Sequence, residues 1–239
     1  MKTKILKLIV ITAMLLTIAT AVLGAPAGLT ISSNTTDYGR TIFPANRSDP
    51  GGTITTLQVD AAQQNSQWKA YVGNITGSLR LDDSAGNTIY QWSLGDSVVT
   101  GEIYASRSSS ITWSSTNCSN ATTILNEQTA LGMNASAVDS IQNTFNETTH
   151  PGLLVAGRGI TLNTCSATST FVNSARQAQA SADFPELLLQ DTTNLIYTTI
   201  INQDNQGYLG STTYDFQMIV ADTPTAASTM YYFYAELGS

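Results

Sequence analysis

Short runs of β-branched, leucine and aromatic residues recur along the chain, each closed by Gly, Pro, Asn, Asp or Ser. Runs of this length and composition read as strands. They fall at 53–59 (TITTLQV), 98–104, 111–113, 187–189, 195–201, 214–220 and 230–237. Trp68, Ala70 and Val72 alternate with Lys69, Tyr71 and Gly73. Leu79 and Leu81 lead into Asp82-Asp83-Ser84-Ala85-Gly86-Asn87, and Tyr90, Trp92 and Leu94 alternate on the way out, which is a hairpin pattern. Between the two cysteines the apolar spacing turns helical, first at Ile124, Leu125, Gln128 and Leu131, then at Val138, Ile141 and Phe145. Gly132 and Asn134 separate these segments, and Ser136 is placed to cap the second. The expected fold is mainly β: a single β-sandwich or jelly-roll-like domain over 53–239 with a short helical insertion at about 121–147. Residues 25–52, with Pro26, Pro44, Pro50, Gly51 and Gly52, read as an extended N-terminal arm.

The first 24 residues have a different character. Lys2, Lys4 and Lys7 precede an apolar run from Leu8 to Leu23, and small residues follow at Gly24, Ala25 and Ala27. This is the layout of a secretory signal peptide, with cleavage expected after Gly24. The competing reading is an uncleaved N-terminal anchor. Removal of the leader leaves seven basic against 17 acidic residues, with Lys69 the only lysine. No later stretch is long and apolar enough to span a membrane, and no hydrophobic tail of the GPI type follows Glu236. The expected location is the cell exterior, secreted or held at the surface.

In that setting Cys118 and Cys165 are expected to form one structural disulfide. A reactive thiol would instead need a His partner, and His150 lies between the two cysteines. N-x-[ST] sequons stand at Asn34, Asn46, Asn74, Asn117, Asn120, Asn134 and Asn146, so the chain is a candidate glycoprotein.

Only 11% of residues are charged, whereas 88 of the 239 are Ser, Thr, Asn or Gln. A surface so poor in cations cannot neutralise a phosphate backbone, which excludes nucleic acid as a partner. There is no GxxxxGK[ST], no zinc-type cysteine spacing and a single histidine. No catalytic constellation, metal cluster or cofactor motif is read, and the chain is not expected to be an enzyme. Glu102, Glu127, Glu147, Glu186 and Glu236 are scattered, without the paired context that glycoside hydrolysis needs. Asp82, Asp83 and Asn87 present oxygens that suit calcium, although the same residue types build ordinary hairpin turns. Trp68, Trp92 and Trp113 could form a sugar-stacking platform or serve as core and cross-strand aromatics.

The segment from Asp139-Ser140-Ile141-Gln142-Asn143-Thr144-Phe145-Asn146 to His150-Pro151 and Asn163-Thr164-Cys165 resembles a recurring pattern in secreted archaeal surface proteins of unassigned function. Trp92, Ile196-Tyr197-Thr198-Thr199, Gly207-Tyr208, the YDFQMIV run at 214–220 and the YYFYAEL run at 231–237 are similar to the same pattern, which covers most of the chain from about Thr53. The resemblance implies an envelope-associated β protein of archaeal type and carries over no catalytic residue. The leader, the low charge, the sequons, the expected disulfide and the lack of a catalytic constellation make the expected function that of a non-catalytic surface or secreted structural protein. Its partners would be further copies of itself or envelope components, and its last strand, which carries few charges, and its N-terminal arm suit assembly by strand exchange. The alternative is an extracellular glycan- or partner-binding module.

Overall fold

The runs Leu187-Leu188-Leu189 and Leu195-Ile196-Tyr197 have no polar alternation, so a strand containing them must be covered on both faces. In the computed structural model all six residues are buried, on adjacent strands at the centre of a seven-stranded sheet. The structure describes residues 25–37, 46–59, 63–93, 99–223 and 228–238. The expected leader over 1–24 lies outside them, as do Pro44, Leu94 and Val98.

In chain order the elements are β1 (Ala27–Gly28), β2 (Trp68–Gly73), β3 (Ser78–Asp82), β4 (Thr88–Ser93), β5 (Thr100–Ser106), β6 (Asn117–Cys118), the helices α1 (Ala121–Ala130) and α2 (Ile141–Thr144), β7 (Leu153–Val155), β8 (Arg158–Ile160), β9 (Ala167–Ser169), β10 (Pro185–Gln190), β11 (Leu195–Ile200), β12 (Asn205–Gln206), β13 (Thr213–Tyr214), β14 (Phe216–Ala221) and β15 (Tyr232–Gly238). The fold is mainly β. The large sheet has the order β1-β15-β5-β11-β10-β6, with β9 also paired to β10, and every pairing is antiparallel. β2–β14, β3–β4, β7–β8 and β12–β13 form separate two-stranded sheets.

Alternation along the central strands divides the core in two. Ile103, Ala105, Leu188, Leu195, Tyr197 and Ala235 point to one face, where Met218 and Val220 of the β2–β14 ribbon pack together with Ile124, Leu131, Ile141 and Phe145 of the helical region. Tyr104, Leu187, Leu189 and Ile196 point to the other, beneath Leu153, Val155 and Ile160 of the β7–β8 hairpin. The helical insertion thus extends the ribbon's cover over the first face. Asn120 caps α1 by accepting from the Thr123 N–H at 2.9 Å.

β14 has one edge paired to β2, and side chains from the large sheet take up polar groups on the other. Glu186 Oε2 accepts from the Ile219 N–H at 2.9 Å, and Thr199 Oγ1 donates to the Gln217 carbonyl at 2.9 Å. Burial pushes the Glu186 carboxyl well above its ordinary range, as expected for an acid held at zero exposure. Among the described residues no helix is long and apolar enough to cross a membrane.

Three local expectations are corrected. Residues 53–59 form no strand and are exposed throughout, because β propensity yields a strand only where an edge is available to pair with. Residues 111–113 are likewise not a strand; a single 3-10 turn, Trp113–Ser115, delivers the Trp113 ring between Tyr104 and Tyr234, at centroid distances of 5.1 and 5.2 Å. The second helical segment is only α2, preceded by Ser140 rather than capped by Ser136, and Val138 is 92% exposed. The Ser136 N–H instead donates to Asn134 Oδ1 in a local turn.

Candidate functional site

The cysteines meet. Cys118 and Cys165 form a disulfide with Cα atoms 4.9 Å apart. Its place in the sheet gives it meaning: β6 pairs with the Leu189–Gln190 end of β10, and β9 with the Pro185–Leu187 end of the same edge. The bridge therefore splices two short strands into one lane along β10. His150 lies beside it, 3% exposed. Its Nε2 accepts from the Thr164 N–H at 3.0 Å and the Cys165 N–H at 2.8 Å, so Nδ1 carries the proton and donates to the Pro151 carbonyl at 2.7 Å. The histidine thus serves backbone amides, and both cysteines are committed to the bridge. His150→Ala is expected to leave two amides without an acceptor and to cost about 2 kcal/mol, read as a lower denaturation midpoint with an unchanged far-UV spectrum.

Of the scattered carboxylates, folding brings two together. Glu102 on β5 and Glu236 on β15 are direct cross-strand partners, where like charges repel. Tyr104 Oη stands 3.5 Å from Glu102 Oε2 and 3.3 Å from Glu236 Oε2, and its single proton serves one of them at a time. The Ala156 N–H, in the turn of the β7–β8 hairpin, donates to Glu236 at 2.9 Å from Oε2 and 3.1 Å from Oε1. Gly101, at φ +127°, lets the Glu236 backbone carbonyl approach closer than any Cβ would allow. Burial first, and then the facing Glu236, pushes Glu102 up to about 7; burial also raises Glu236 and Tyr104.

Glu102 and Glu236 line a cavity of about 310 Å³ together with Gly101, Gly152, Leu153 and Ile201. A second hollow of about 510 Å³, lined by Asn163, Gln179, Asp183 and Asn202, shares Pro151, Ile200 and Ile201 with it. Both carboxyls face the Tyr104 hydroxyl, and their geometry is that of two acids stacked on adjacent strands. The remaining candidates are engaged elsewhere. Glu127 makes a bidentate pair with Arg107, 2.7 Å at both nitrogens, and Glu147 meets Arg176 at 3.1 Å.

Asp83 turns its oxygens inward, accepting from the N–H groups of Ala85 and Asn87 at 2.9 and 2.8 Å and from Asn87 Nδ2 at 2.9 Å. These bonds, the Asn87 side chain foremost, hold its carboxyl below the usual range, and they build the turn between β3 and β4. The three tryptophans are separated. Trp68 packs 6.0 Å from Phe145 and donates Nε1–H to the Asp139 carbonyl at 2.7 Å, and Trp113 is the wedge described above. Trp92 alone lies on an open surface, 49% exposed, with Tyr90 at 57% and a ring distance of 4.6 Å. They share a face of the β3–β4 hairpin with Leu79 and Leu81, which pair across from them.

All seven sequon asparagines are exposed. Asn117 Nδ2 donates to the Ser115 carbonyl at 2.9 Å, so a glycan there would displace that bond. Asn120 and Asn134 accept through Oδ1 from the Thr123 and Ser136 N–H groups, whereas Asn34 and Asn46 stand on the arm.

The arm itself returns to the body. Ala27 and Gly28 pair with Ala235 and Tyr234, and the Leu29 N–H donates to the Phe233 carbonyl at 3.0 Å, so the arm supplies the outermost strand on β15. No family model, curated protein or solved structure matches the chain.

Proposed function

We propose that this chain is an exported, non-catalytic structural protein of the cell surface that assembles by exchanging its N-terminal arm between copies. The observation that carries this reading is β1. An edge strand closed by two residues at the start of a long exposed segment can be closed equally well by the same residues of a neighbour, since the contacts made are identical. The low charge and the exposed sequons agree with it: the chain is sparsely charged and net acidic, amide- and hydroxyl-rich, and open to glycan attachment at several points.

The test compares the chain beginning at Ala25 with one lacking residues 25–52, by light scattering after size exclusion and by negative-stain imaging. High-order oligomers or filaments are expected from the first and their loss from the second. A full-length chain that stays monomeric at every concentration, with the deletion changing nothing, would sink the reading.

A second reading, a glycan- or partner-binding module, is favoured by the open Tyr90–Trp92 pair alone. It predicts quenching or a shift of Trp92 emission on titration with oligosaccharides, lost in Trp92→Ala.

A further inference from the structure

A pocket that takes a small ligand combines an apolar lining with a few polar groups already fixed in place. The second hollow, of about 510 Å³, has both. Pro151, Ile200 and Ile201 supply the apolar lining, and Asn163, Gln179, Asp183 and Asn202 the polar one.

Each of the three amide side chains is anchored to the backbone at one end and open at the other. Asn163 Oδ1 accepts from the His150 N–H at 3.0 Å, which leaves Nδ2 open. Gln179 Nε2 donates to the Thr149 and Thr168 carbonyls at 2.9 and 3.0 Å, which leaves Oε1 open. Asn202 Nδ2 donates to the Asp183 carbonyl at 2.9 Å, which leaves Oδ1 open. Because the anchoring partners are backbone N–H and C=O groups, they also settle which amide atom is nitrogen and which is oxygen. Asp183 engages only its backbone, its N–H donating to Gln177 Oε1 at 2.7 Å, and its carboxylate accepts no hydrogen bond among the described residues.

The open groups are thus one donor, Asn163 Nδ2, and three acceptors, Gln179 Oε1, Asn202 Oδ1 and the Asp183 carboxylate. That inventory selects a ligand. An anion would meet a single donor beside the charge of Asp183, and no Lys or Arg is among the described residues that line the hollow. An ammonium group only donates, so it leaves Asn163 Nδ2 unmatched. A hydroxyl both donates and accepts, so a compound rich in hydroxyls matches both kinds of group. A pyranose carries hydroxyls round its edge and turns C–H groups to its faces, which suits the apolar lining. The cavity of Glu102 and Glu236 shares that lining, so a second ring has room beyond the first.

We propose that this hollow is a binding site for a neutral saccharide, with Gln179, Asp183 and Asn202 accepting from its hydroxyls and Asn163 donating to one of them. The site uses no residue of the Tyr90–Trp92 face and does not depend on association between copies.

The experiment titrates the full-length chain with maltose, cellobiose, lactose and mannobiose, followed by calorimetry and saturation-transfer NMR, with glucuronic acid as the anionic comparison. The expected result is saturable binding of at least one neutral disaccharide. Asp183→Ala removes only a carboxylate that bonds nothing, and it is expected to weaken that binding about tenfold or more. Asn163→Asp keeps an oxygen for the His150 N–H and tolerates the backbone φ of +58°, but it loses the one donor and is expected to weaken binding as well. Both variants should keep the far-UV spectrum and thermal midpoint, and Trp92→Ala should bind as the native chain does.

The absence of saturable binding with all four disaccharides would overturn the proposal. So would affinity unchanged in Asp183→Ala, or binding lost in Trp92→Ala alone, which would place the sugar on the hairpin instead. Glucuronic acid binding more tightly than the neutral sugars would overturn it too.

Discussion

Replacing both bridged cysteines, Cys118→Ser with Cys165→Ser, is expected to lower the unfolding free energy by about 4 kcal/mol. The cysteines are 47 residues apart in sequence, and releasing so long a loop returns that much conformational entropy to the unfolded chain. The native side loses as well. β6 is only two residues long and holds to β10 through Cys118↔Leu189 and Asn117↔Gln190, so without the bridge it has little to resist fraying. Cys165, 1% exposed, sits in the same cluster as Leu187, Leu189 and Ile196, and its replacement puts a hydroxyl among them. Guanidinium unfolding of the native and double-serine chains measures the difference as a fall in midpoint at similar slope. Coincident curves would show that the bridge adds nothing.

Raising the pH from about 4.5 to about 8 is expected to weaken the native state, with Glu102→Gln removing the part of that loss that belongs to Glu102. Glu102 has an ordinary value of 4.5 and is pushed up to about 7 in the fold, so the folded chain holds its proton more tightly than the unfolded chain does. The stabilisation linked to that proton is complete below 4.5, declines as the pH rises between the two values, and is gone above about 7. The difference is on the order of 3 kcal/mol. The direction follows from burial first and then from Glu236, which stands directly opposite; the hydrogen bond from Tyr104, one proton for two carboxyls, opposes the shift without reversing it. Glu186, also raised by burial, works in the same sense. A glutamine at 102 keeps the shape and removes the charge, so its thermal midpoint should exceed that of the native chain at about pH 8 and match it in acid. Equal pH profiles for the two chains would exclude Glu102 as the source.

How much of this was legible depended on whether a feature is local. The runs at 187–189 and 195–201 read as strands from their leucine, β-branched and aromatic residues, and Ile124, Leu125, Gln128 and Leu131 mark α1 by their spacing. β1 could not be read that way. Ala27 and Gly28 have no preference for a strand, and they become one only because β15 presents an edge. Residues 53–59 are the converse, a strand-like sequence that pairs with no strand among the described residues.

The meeting of Glu102 and Glu236 was equally hidden. They are far apart in the sequence, and only the register of β5 against β15, which passes through the sharp backbone of Gly101, sets them face to face. His150 stands out in the sequence as the lone histidine. Its task of accepting from two successive amides depends on a loop path that residue types do not encode.

The splice between β6 and β9 also bears on how the chain withstands cutting. The whole excursion that holds α1, α2 and the β7–β8 hairpin leaves the sheet at Cys118 and returns at Cys165, so it is a handle with both ends welded to the same rim. A peptidase that nicks an exposed stretch of the handle, such as the surroundings of Val138, severs the chain without releasing either fragment. The two pieces remain covalently joined at the edge of β10, and the sheet keeps its outermost lane.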